Sequence, residues 1–524
     1  MKFLIIVIAS ILYVIVRLKK NMHILQQNFY NENNRYLRWG INNINEVFKF
    51  DIVLHILNMI NMFIYNDFII YLNIVYLLLF IIESNKQKKE QVKIPLKITS
   101  RVKRMFVTYV IIMVIPIILQ IFFIEDEFIF DFIYSLLISL SFFVVLLTNI
   151  INYPVERIVF NYYKNKAKKK IDYLNLDVIG ITGSYGKTSS KNILNDILSV
   201  KFNSVTTPKN FNTKYGLIIT INNYIDKFND IFIAEMGAFK RGSIKALCNL
   251  VKPKYGIITN IGTAHLETFG SRENIQKGKF ELVESLPSDG LAILNKDDPY
   301  QVSYKIKNDC KVIWISIDDK EADVVASNIK MNSEGMTFDV YFKELDKKHT
   351  FSTKLLGKPN VYNILSALAF GMYKGMTLEE LELGVKRVKT IEHRLELKNL
   401  GNKIIIDDAY NSNPVGSKMA LDVLDLMDGV KIVVTPGMIE LGDEQYSLNK
   451  KFGEYIADVA DYVILVGQNQ TKPIQDGLKE KKYDKDKLYI INDVKEAFNI
   501  IDSIKTTKKK YALLENDLPD IFNE

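Results

Sequence analysis

The chain has 524 residues and a mass of 60.5 kDa, more than one hydrophobic core usually organises, which favours two or more domains. Hydrophobic residues make up 48% and charged residues 24%, which excludes a disordered, collagen-like or disulfide-dense protein. The net charge of +8 arises in the N-terminal third, where residues 1–170 hold 21 Lys and Arg against 11 Asp and Glu. Because this third also contains the long apolar runs, its basic excess indicates membrane topology rather than nucleic-acid binding.

Apolar segments predict about five membrane-spanning helices in a transmembrane region at 1–160. The segments are 3–16, a two-helix hairpin at 50–84 that is broken at Asn66-Asp67, then 105–124 and 128–151. A span needs roughly 20 apolar residues, so 50–84 is too long for one. The first segment is followed by its basic residues and lacks a small-residue cleavage site, so it is interpreted as an anchor rather than a signal peptide.

The charges of the loops predict the orientation of these helices. With the N-terminus outside, the cytoplasmic loops contain Lys19, Lys20, Arg35, Arg38, the eight basic residues of 86–104, and Lys164, Lys166, Lys168, Lys169 and Lys170. This arrangement satisfies the positive-inside rule. It predicts a multi-pass protein of the cytoplasmic membrane with its remaining domains in the cytoplasm. One alternative is that 50–66, which contains Asp51 and His55, is an interfacial amphipathic helix, leaving four spans and the N-terminus inside.

From residue 176 the pattern changes to short β-branched runs that alternate with helical stretches, which is typical of a parallel sheet flanked by helices. A predicted strand at 177–182 and a predicted helix at 189–200 enclose a short GxxGKT loop. The loop residues are Gly183, Ser184, Tyr185, Gly186, Lys187 and Thr188. Backbone N–H groups in such a loop face an anion, the lysine adds a positive charge, and the threonine hydroxyl can bind Mg²⁺. The segment therefore predicts binding of a nucleoside triphosphate.

Several further motifs follow in chain order. They are Thr207-Pro-Lys-Asn-Phe-Asn-Thr213, Ala234-Glu-Met-Gly237, Thr259-Asn-Ile-Gly-Thr-Ala-His-Leu-Glu-Thr-Phe-Gly270, Leu356-Gly-Lys-Pro-Asn-Val-Tyr-Asn363, His393-Arg394, Asp407-Asp-Ala-Tyr-Asn-Ser-Asn-Pro414 and Gly437-Met-Ile-Glu-Leu-Gly442. With the GxxGKT loop, this set resembles the Mur ligase family over roughly 176–500. The resemblance implies an α/β fold in which the membrane region precedes a P-loop-type ATPase domain at 170–390 and a Rossmann-like C-terminal domain at 391–510. Residues 511–524 are left as a tail.

The candidate metal ligands combine residue pattern and resemblance. Glu235 ends a predicted strand at the edge of a parallel sheet where ligands bind, so it is a candidate Mg²⁺ ligand beside Thr188. The resemblance implies that His265 is a second ligand. It also implies a carbamylated lysine at Lys279, within a helix that Lys277 and Lys279 are expected to open; a pair of solvated lysines is the alternative. The expected cofactors are ATP and two Mg²⁺ ions.

The candidate nucleotide contacts lie in the later motifs. Asn360 and Asn363 carry amides of the kind that recognise an adenine edge. Arg394 lies in the connector between the two domains, where it can reach the γ-phosphate as the domains close. The resemblance implies that Asp408 and Asn411 contact ribose and phosphate. Together with Lys187, His265 and Lys279, Arg394 completes the set of candidate catalytic residues.

The resemblance implies an ATP-dependent carboxylate–amine ligase of cell-wall (peptidoglycan) or cell-surface polymer synthesis, which acts through an acyl phosphate and releases ADP and phosphate. Membrane spans stand where the family has a domain that grips uridine diphosphate. The expected partners are therefore the lipid bilayer, a lipid-linked or membrane-associated cell-envelope precursor, and an amino acid or dipeptide amine donor, with no nucleic acid. Two alternatives stay open: an ATPase-driven transporter or flippase, and a non-catalytic membrane scaffold with a degenerate ATP site.

Overall fold

The structure is a computed structural model that describes residues 2–48, 50–63, 69–89, 95–122, 127–332, 334–390, 392–409, 412–439 and 441–517. It divides into two compact units, residues 1–162 and 163–524, here called the helical unit and the α/β unit. The motif residues Tyr410 and Asn411, the polar break at Asn66-Asp67 and the residues after 517 lie outside the described ranges.

The helical unit is built from helices around one apolar core. Its helices are α1 (Lys2–Gln27), a 3₁₀ turn (Phe29–Asn34), α2 (Arg35–Asn42), α3 (Ile44–Phe48), α4 (Asp51–Phe63), α5 (Ile69–Lys89), α6 (Ser100–Phe122), α7 (Glu127–Ser139) and α8 (Ser141–Leu174), the last of which extends past the unit. The hairpin expected at 50–84 corresponds to α4 and α5. The single helix expected at 128–151 is divided at Leu140 into α7 and the first turns of α8. Backbone hydrogen bonds of helical spacing, from Leu140 to Leu136 and from Val144 to Leu140, continue across this division.

Two of the described helices are long and apolar enough to cross a membrane, at Ser100–Gln120 and Ser141–Leu174. Side-chain contacts also fix how neighbouring helices run: α1 and α5 are parallel, whereas α4 is antiparallel to α7 and α6 is antiparallel to α8. The contacts are Tyr13 with Tyr76 and Val16 with Gln87, Asp51 with Ser139 and His55 with Ser135, and Arg104 with Glu156 and Thr108 with Asn152.

Ion pairs join the helices of this unit. The buried Arg17 guanidinium lies 2.5 Å from the Asp51 carboxylate. The Glu46 carboxylate lies 2.6 Å from the Lys20 ammonium and 3.3 Å from that of Lys86. These pairs connect the C-terminal halves of α1 and α5 to α3 and the first turn of α4, so they lie together at one end of the unit.

The first sheet of the α/β unit has nine strands in the order β2-β3-β1-β4-β5-β6-β7-β8-β9. They are β1 (Asp177–Thr182), β2 (Ser204–Thr206), β3 (Ile231–Glu235), β4 (Tyr255–Ile258), β5 (Leu291–Asn295), β6 (Lys311–Ser316), β7 (Val324–Asn332), β8 (Gly335–Phe342) and β9 (Lys347–Thr353). The first seven strands in this order are parallel and the last two pair antiparallel. β1 and β3 are apolar and buried along nearly their whole length, as central parallel strands are.

The second sheet has six strands in the order β10-β11-β15-β12-β13-β14. They are β10 (Glu396–Leu400), β11 (Lys403–Asp408), β12 (Val430–Thr435), β13 (Tyr462–Val466), β14 (Leu488–Ile491) and β15 (Lys510–Glu515). β15 lies between β11 and β12, parallel to both. The expected boundary at 510 is therefore too early: 511–515 is a central strand rather than a tail, because its apolar residues complete the core of this sheet.

Helices cover both sheets. They are α9 (Lys187–Leu198), α10 (Lys214–Asn223), α11 (Ser243–Val251), α12 (Leu266–Phe269), α13 (Arg272–Phe280), α14 (Pro299–Val302), α15 (Lys358–Tyr373), α16 (Leu378–Arg387), α17 (Pro414–Asp425), α18 (Gln445–Val459), α19 (Lys472–Glu480) and α20 (Val494–Ser503). α9 starts two residues earlier than expected, at the lysine of the GxxGKT loop. Lys277 and Lys279 end α13 rather than open a helix, since Ser271 caps its N-terminus six residues before Lys277.

Candidate active site

The GxxGKT loop joins β1 to α9 at the carboxyl edge of the first sheet. Gly183 and Gly186 have φ of 152° and 78°, values that residues other than glycine rarely adopt. A Cβ on Gly183 would also overlap the Thr259 hydroxyl. The Lys187 ammonium folds back and donates to the Gly183 and Ser184 carbonyls at 2.7 and 3.2 Å. The loop thus holds a positive charge beside the N-terminus of a 12-residue helix, the arrangement that binds phosphate.

A second loop, which follows β4, is hydrogen-bonded to the GxxGKT loop along its length. The Ser184 N–H donates to the Asn260 carbonyl and the Tyr185 N–H to the Asn260 side-chain oxygen, both at 2.9 Å. The Gly262 N–H donates to the Ser184 hydroxyl at 2.9 Å, and the Tyr185 hydroxyl lies 3.1 Å from that of Thr263. The GxxGKT loop and the Thr259–Gly270 motif, which are distant in the sequence, therefore form one hydrogen-bonded surface. The second motif contains His265.

Glu235 lies beside this surface at the end of β3. Its buried carboxylate accepts from the Thr188 hydroxyl at 3.0 Å and from the Asn212 amide at 3.1 Å. The Lys191 ammonium lies 3.1 Å away. Hydroxyl and carboxylate oxygens are ligands that Mg²⁺ prefers, so the donor set at Thr188 and Glu235 fits this ion.

Lys191 is a site residue that the sequence analysis missed. It is 1% exposed, and besides Glu235 it donates to the Thr207 carbonyl at 2.7 Å and to the Lys209 carbonyl. Lys209 has a φ of 48°, in the left-handed region that favours glycine. Lys191 thereby fixes the Thr207–Thr213 motif against α9. Its spacing of three residues from Thr188 on one helix was the available signal.

His265 and Lys279 are close enough to Lys187 for the three groups to influence one another. Burial, followed by the charges of Lys279 and Lys187, lowers the pKa of His265 to about 4, so the imidazole is neutral at pH 7 and able to bind a metal. Its ring packs on Phe239 with 4.7 Å between centroids. The residue is fixed in the left-handed region with a φ of 60°.

Lys279 is 1% exposed, whereas Lys277 is exposed. Burial, reinforced by the charge of Lys187, lowers the pKa of Lys279 well below its usual value. Its ammonium lies 5.8 Å from the centre of the Phe269 ring and forms no hydrogen bond or ion pair with any described residue. The described residues also hold no group of three His, Cys, Asp or Glu side chains placed to bind a metal. A second metal would accordingly need an additional anionic ligand, which a carbamate on Lys279 would provide.

The first turn of α15 lies against the GxxGKT loop. A Cβ on Gly186 would come within 3.7 Å of the Asn363 side-chain oxygen. The Asn360 amide donates to the Leu356 carbonyl at 2.8 Å, and the Asn363 amide donates to the Asn360 oxygen at 3.5 Å. Both amides thus already form hydrogen bonds within the segment 356–363. A cavity of 510 Å³ opens beside this turn, and Gly357 is part of its wall.

Arg394 lies between the two sheets of the α/β unit. Its neighbours His393 and Leu395 have φ of 59° and 49°, and the Leu395 N–H donates to the Asp408 carboxylate at 3.2 Å. Burial lowers the pKa of Lys187 to about 8, with a smaller contribution from Arg394 and against the attraction of Glu235. The Arg394 charge also opposes the rise in the pKa of Asp408. The positive charge of Arg394 therefore acts both on Asp408 in the second sheet and on Lys187 in the phosphate loop.

Two segments of the chain match domains of a known protein family. Residues 181–371 match the Mur ligase middle domain, and residues 393–509 match the Mur ligase glutamate ligase domain. The UDP-N-acetylmuramoyl-tripeptide–D-alanyl-D-alanine ligase of Bacillus subtilis is 32% identical over 353 residues, 66% of this chain and 74% of that protein. The enzyme of the same name from Escherichia coli is 32% identical over 298 residues, 56% of this chain and 64% of its own length.

Solved structures show the same relationship. A MurF structure from Acinetobacter baumannii has a TM-score of 0.61 at 26% identity, covering 68% of this chain and 77% of that one. The MurF ligase of Thermotoga maritima in complex with ADP has a TM-score of 0.61 at 25% identity, covering 68% and 80%. Fold and site define an ATP-dependent ligase that joins a carboxylate to an amine. The chain belongs to the Mur ligase family, which confirms the resemblance seen in its motifs.

Proposed function

We propose that this protein forms an amide bond between the peptide carboxylate of a cell-wall precursor and the amine of an amino acid or dipeptide, converting ATP to ADP and phosphate. The observation that carries the proposal is the hydrogen-bonded pair of loops that places Lys187 near both Glu235 and His265. The names of the Bacillus subtilis and Escherichia coli relatives supply the substrate class, a UDP-linked muramoyl tripeptide and D-alanyl-D-alanine.

Different residues have different roles in this reaction. The GxxGKT loop and Lys187 would bind the phosphates, and Thr188, Glu235 and His265 would hold Mg²⁺, which would neutralise phosphate charge when bound. The substrate carboxylate attacks the terminal phosphorus, ADP leaves, and the amine then displaces phosphate from the acyl phosphate. Arg394 adds positive charge at the phosphoryl group when the two sheets approach each other.

The nucleotide base would bind at the first turn of α15. Asn360 and Asn363 offer the amides, and the 510 Å³ cavity beside Gly357 offers an apolar space large enough for a purine. Its wall extends to Pro414 and Val415 at the start of α17, directly after the Asp407–Pro414 motif. Asp408 and Asn411 would meet the ribose and phosphates from that motif.

Lys279 would become a carbamate. The uncharged lysine amine attacks the carbon of CO₂, a nitrogen–carbon bond forms as a carbon–oxygen π bond opens, and a proton is released, so a buried neutral amine becomes an anion near His265. The low pKa of Lys279 and its lack of an ion pair within the described chain support this step. Incubation with ¹³C-labelled bicarbonate should give a carbamate NMR signal that Lys279→Ala abolishes and Lys277→Ala retains. A signal that survives Lys279→Ala would refute the assignment.

The helical unit would anchor the enzyme in the cytoplasmic membrane, with the α/β unit in the cytoplasm and a lipid-linked or membrane-associated precursor as acceptor. The two apolar helices, the alternating helix directions and the ion pairs gathered at one end support this placement. In intact cells, a cysteine at Asp67 should react with an impermeant thiol reagent and one at Lys86 should not. Equal labelling of both, or release of the protein from membranes by alkaline washing, would refute the topology.

The catalytic proposal is tested with purified full-length protein in detergent. ADP and phosphate should be released only when carboxylate and amine substrates are both present. UDP-linked muramoyl tripeptide and its lipid-linked counterpart, each with D-alanyl-D-alanine, are the two acceptors to compare. ATP turnover that is independent of both substrates and unchanged in Lys187→Ala would refute the proposal. The transporter alternative has no comparable support, since Arg17 and Asp51 neutralise each other inside the helical unit.

A further inference from the structure

Two carboxyl groups face each other at the edge of the second sheet. Asp408 and Glu515 are register partners at the ends of the adjacent strands β11 and β15. Glu515 is 1% exposed. One of its oxygens accepts from the Ser412 hydroxyl at 2.7 Å, while the other finds no hydrogen-bond donor among the described residues. Since an ionised carboxylate only accepts, the second oxygen and Asp408 can share a hydrogen bond only if one of them carries a proton.

The surrounding cations are too few to neutralise both carboxylates, which favours a proton on one of them. Arg394 is the cation that acts on Asp408. The adjacent Asp407 is already neutralised, with the His393 ring at 2.8 Å and the Lys398 ammonium at 2.5 Å. The buried Glu515 and the half-buried Asp408, both ionised beside one guanidinium, would leave an uncompensated negative charge, which is costly at low dielectric.

Each partner raises the proton affinity of the other. Burial, opposed by Arg394, raises the pKa of Asp408 to about 6. Burial, followed by the charge of Asp408, raises the pKa of Glu515 well above its usual value. In such a pair the protons leave in two steps, and the more deeply buried member holds the last one. At neutral pH that member is Glu515.

We propose that Glu515 is a positioning residue: it stays protonated at neutral pH and donates its proton to Asp408, which fixes the Asp408 carboxylate where it accepts from Leu395 and faces Arg394. The part of this inference that concerns turnover rests on the proposed function; the protonation itself does not. Asp408 is then held on three sides, by a buried acid, a backbone N–H and a guanidinium.

A stability readout follows from the sign of the shift. Because the folded-state pKa of Glu515 is raised, the folded protein binds one more proton than the unfolded chain between the unfolded pKa, about 4.3, and the folded one. The stabilisation is complete below the lower value and is lost as the pH rises through the upper one. Unfolding at pH 7 should therefore release one proton from this pair.

The test compares Glu515→Gln, whose amide donates as the protonated acid does, with Glu515→Leu, which cannot donate. Glu496→Gln, at an exposed position of α20, a helix that packs against the second sheet, is the matched control. We expect Glu515→Gln to keep kcat for ATP turnover within about twofold of wild type and to release one proton fewer on unfolding. Glu515→Leu should lower kcat about tenfold or more, with a smaller change in KM for ATP.

The outcomes separate the two proposals. If Glu515→Gln is as inactive as Glu515→Leu, or releases as many protons on unfolding as wild type, Glu515 is a charged carboxylate and the inference is wrong. If wild type shows no substrate-dependent turnover, the proposed function fails, while proton release in Glu515→Gln still decides whether the pair is protonated. Should Glu515→Leu not fold, the Gln variant and the Glu496→Gln control still give that decision.

Discussion

In the helical unit the buried Arg17 guanidinium lies 2.5 Å from the Asp51 carboxylate, whereas in the α/β unit the buried Lys279 lies near Lys187 and His265 and forms no ion pair within the described chain. Both arrangements take charge out of water, at considerable cost. The first recovers the cost by pairing within the protein. The second has no such pair, and burial instead lowers the pKa of Lys279 well below its usual value, a perturbation of the kind that clusters at functional sites.

The difference separates architecture from function. Charges that neutralise each other fix how helices pack, and a change in one should affect stability. Charges that repel each other are held by the surrounding fold, so a change should affect binding more than stability. Four experiments test this division.

The largest effect is expected from Arg17→Leu, which leaves Asp51 buried without its partner. Breaking a buried ion pair costs about 3–5 kcal/mol, so the unfolding midpoint of the detergent-solubilised protein should fall strongly. The double variant Arg17→Leu/Asp51→Leu should recover most of the loss, and Arg38→Leu, at an exposed position, should have little effect. A double variant as unstable as the single one would contradict pairing as the role of Arg17.

Lys187→Ala should have the opposite signature. Removing one preorganised charge from a phosphoryl-transfer site lowers turnover by about 10²–10³-fold. The unfolding midpoint should not fall, because the substitution also removes repulsion with Lys279 and Arg394. Lys277→Ala, on the exposed face of α13, is the control and should leave turnover unchanged. A large loss of stability in Lys187→Ala would undermine the division between the units.

Glu235→Gln should raise the Mg²⁺ concentration for half-maximal turnover at least about tenfold, because an amide is a poorer ligand for a hard cation. Glu273→Gln, at an exposed position of α13, should leave this concentration unchanged. An unaltered Mg²⁺ requirement in Glu235→Gln would remove Glu235 from the metal site.

The smallest effect concerns pH. Since the pKa of Lys187 is lowered to about 8, its ammonium loses its proton as the pH rises from 7 to 9. ADP affinity, measured by calorimetry, should therefore fall by up to about tenfold per pH unit above 8. The slope should be absent in Lys187→Ala. His265, whose pKa is about 4, should contribute nothing to this profile.

Local sequence was sufficient for the bounds of β1 and for the end of β3 at Glu235, because an unbroken apolar run between turn residues has few other solutions. It was insufficient for 511–515, expected as a tail. That segment is a central strand only because β11 and β12 lie on either side of it. The residues of the segment itself do not indicate which strands will lie next to it. Lys191 was missed for the same reason, since its partners lie on two other segments of the chain.

The sequence by itself determined the class of the enzyme, since its motifs, taken in order, resemble those of the Mur ligase family and include a phosphate loop, a carboxylate at a strand end and an arginine in a connector. Only the tertiary structure decided which charges are neutralised and which are not. Arg17 with Asp51, Lys191 with Glu235 and Asp408 with Glu515 are separated by 34 residues or more in the chain. Electrostatic energy depends on distance and burial in space, and neither can be read from separation along the sequence.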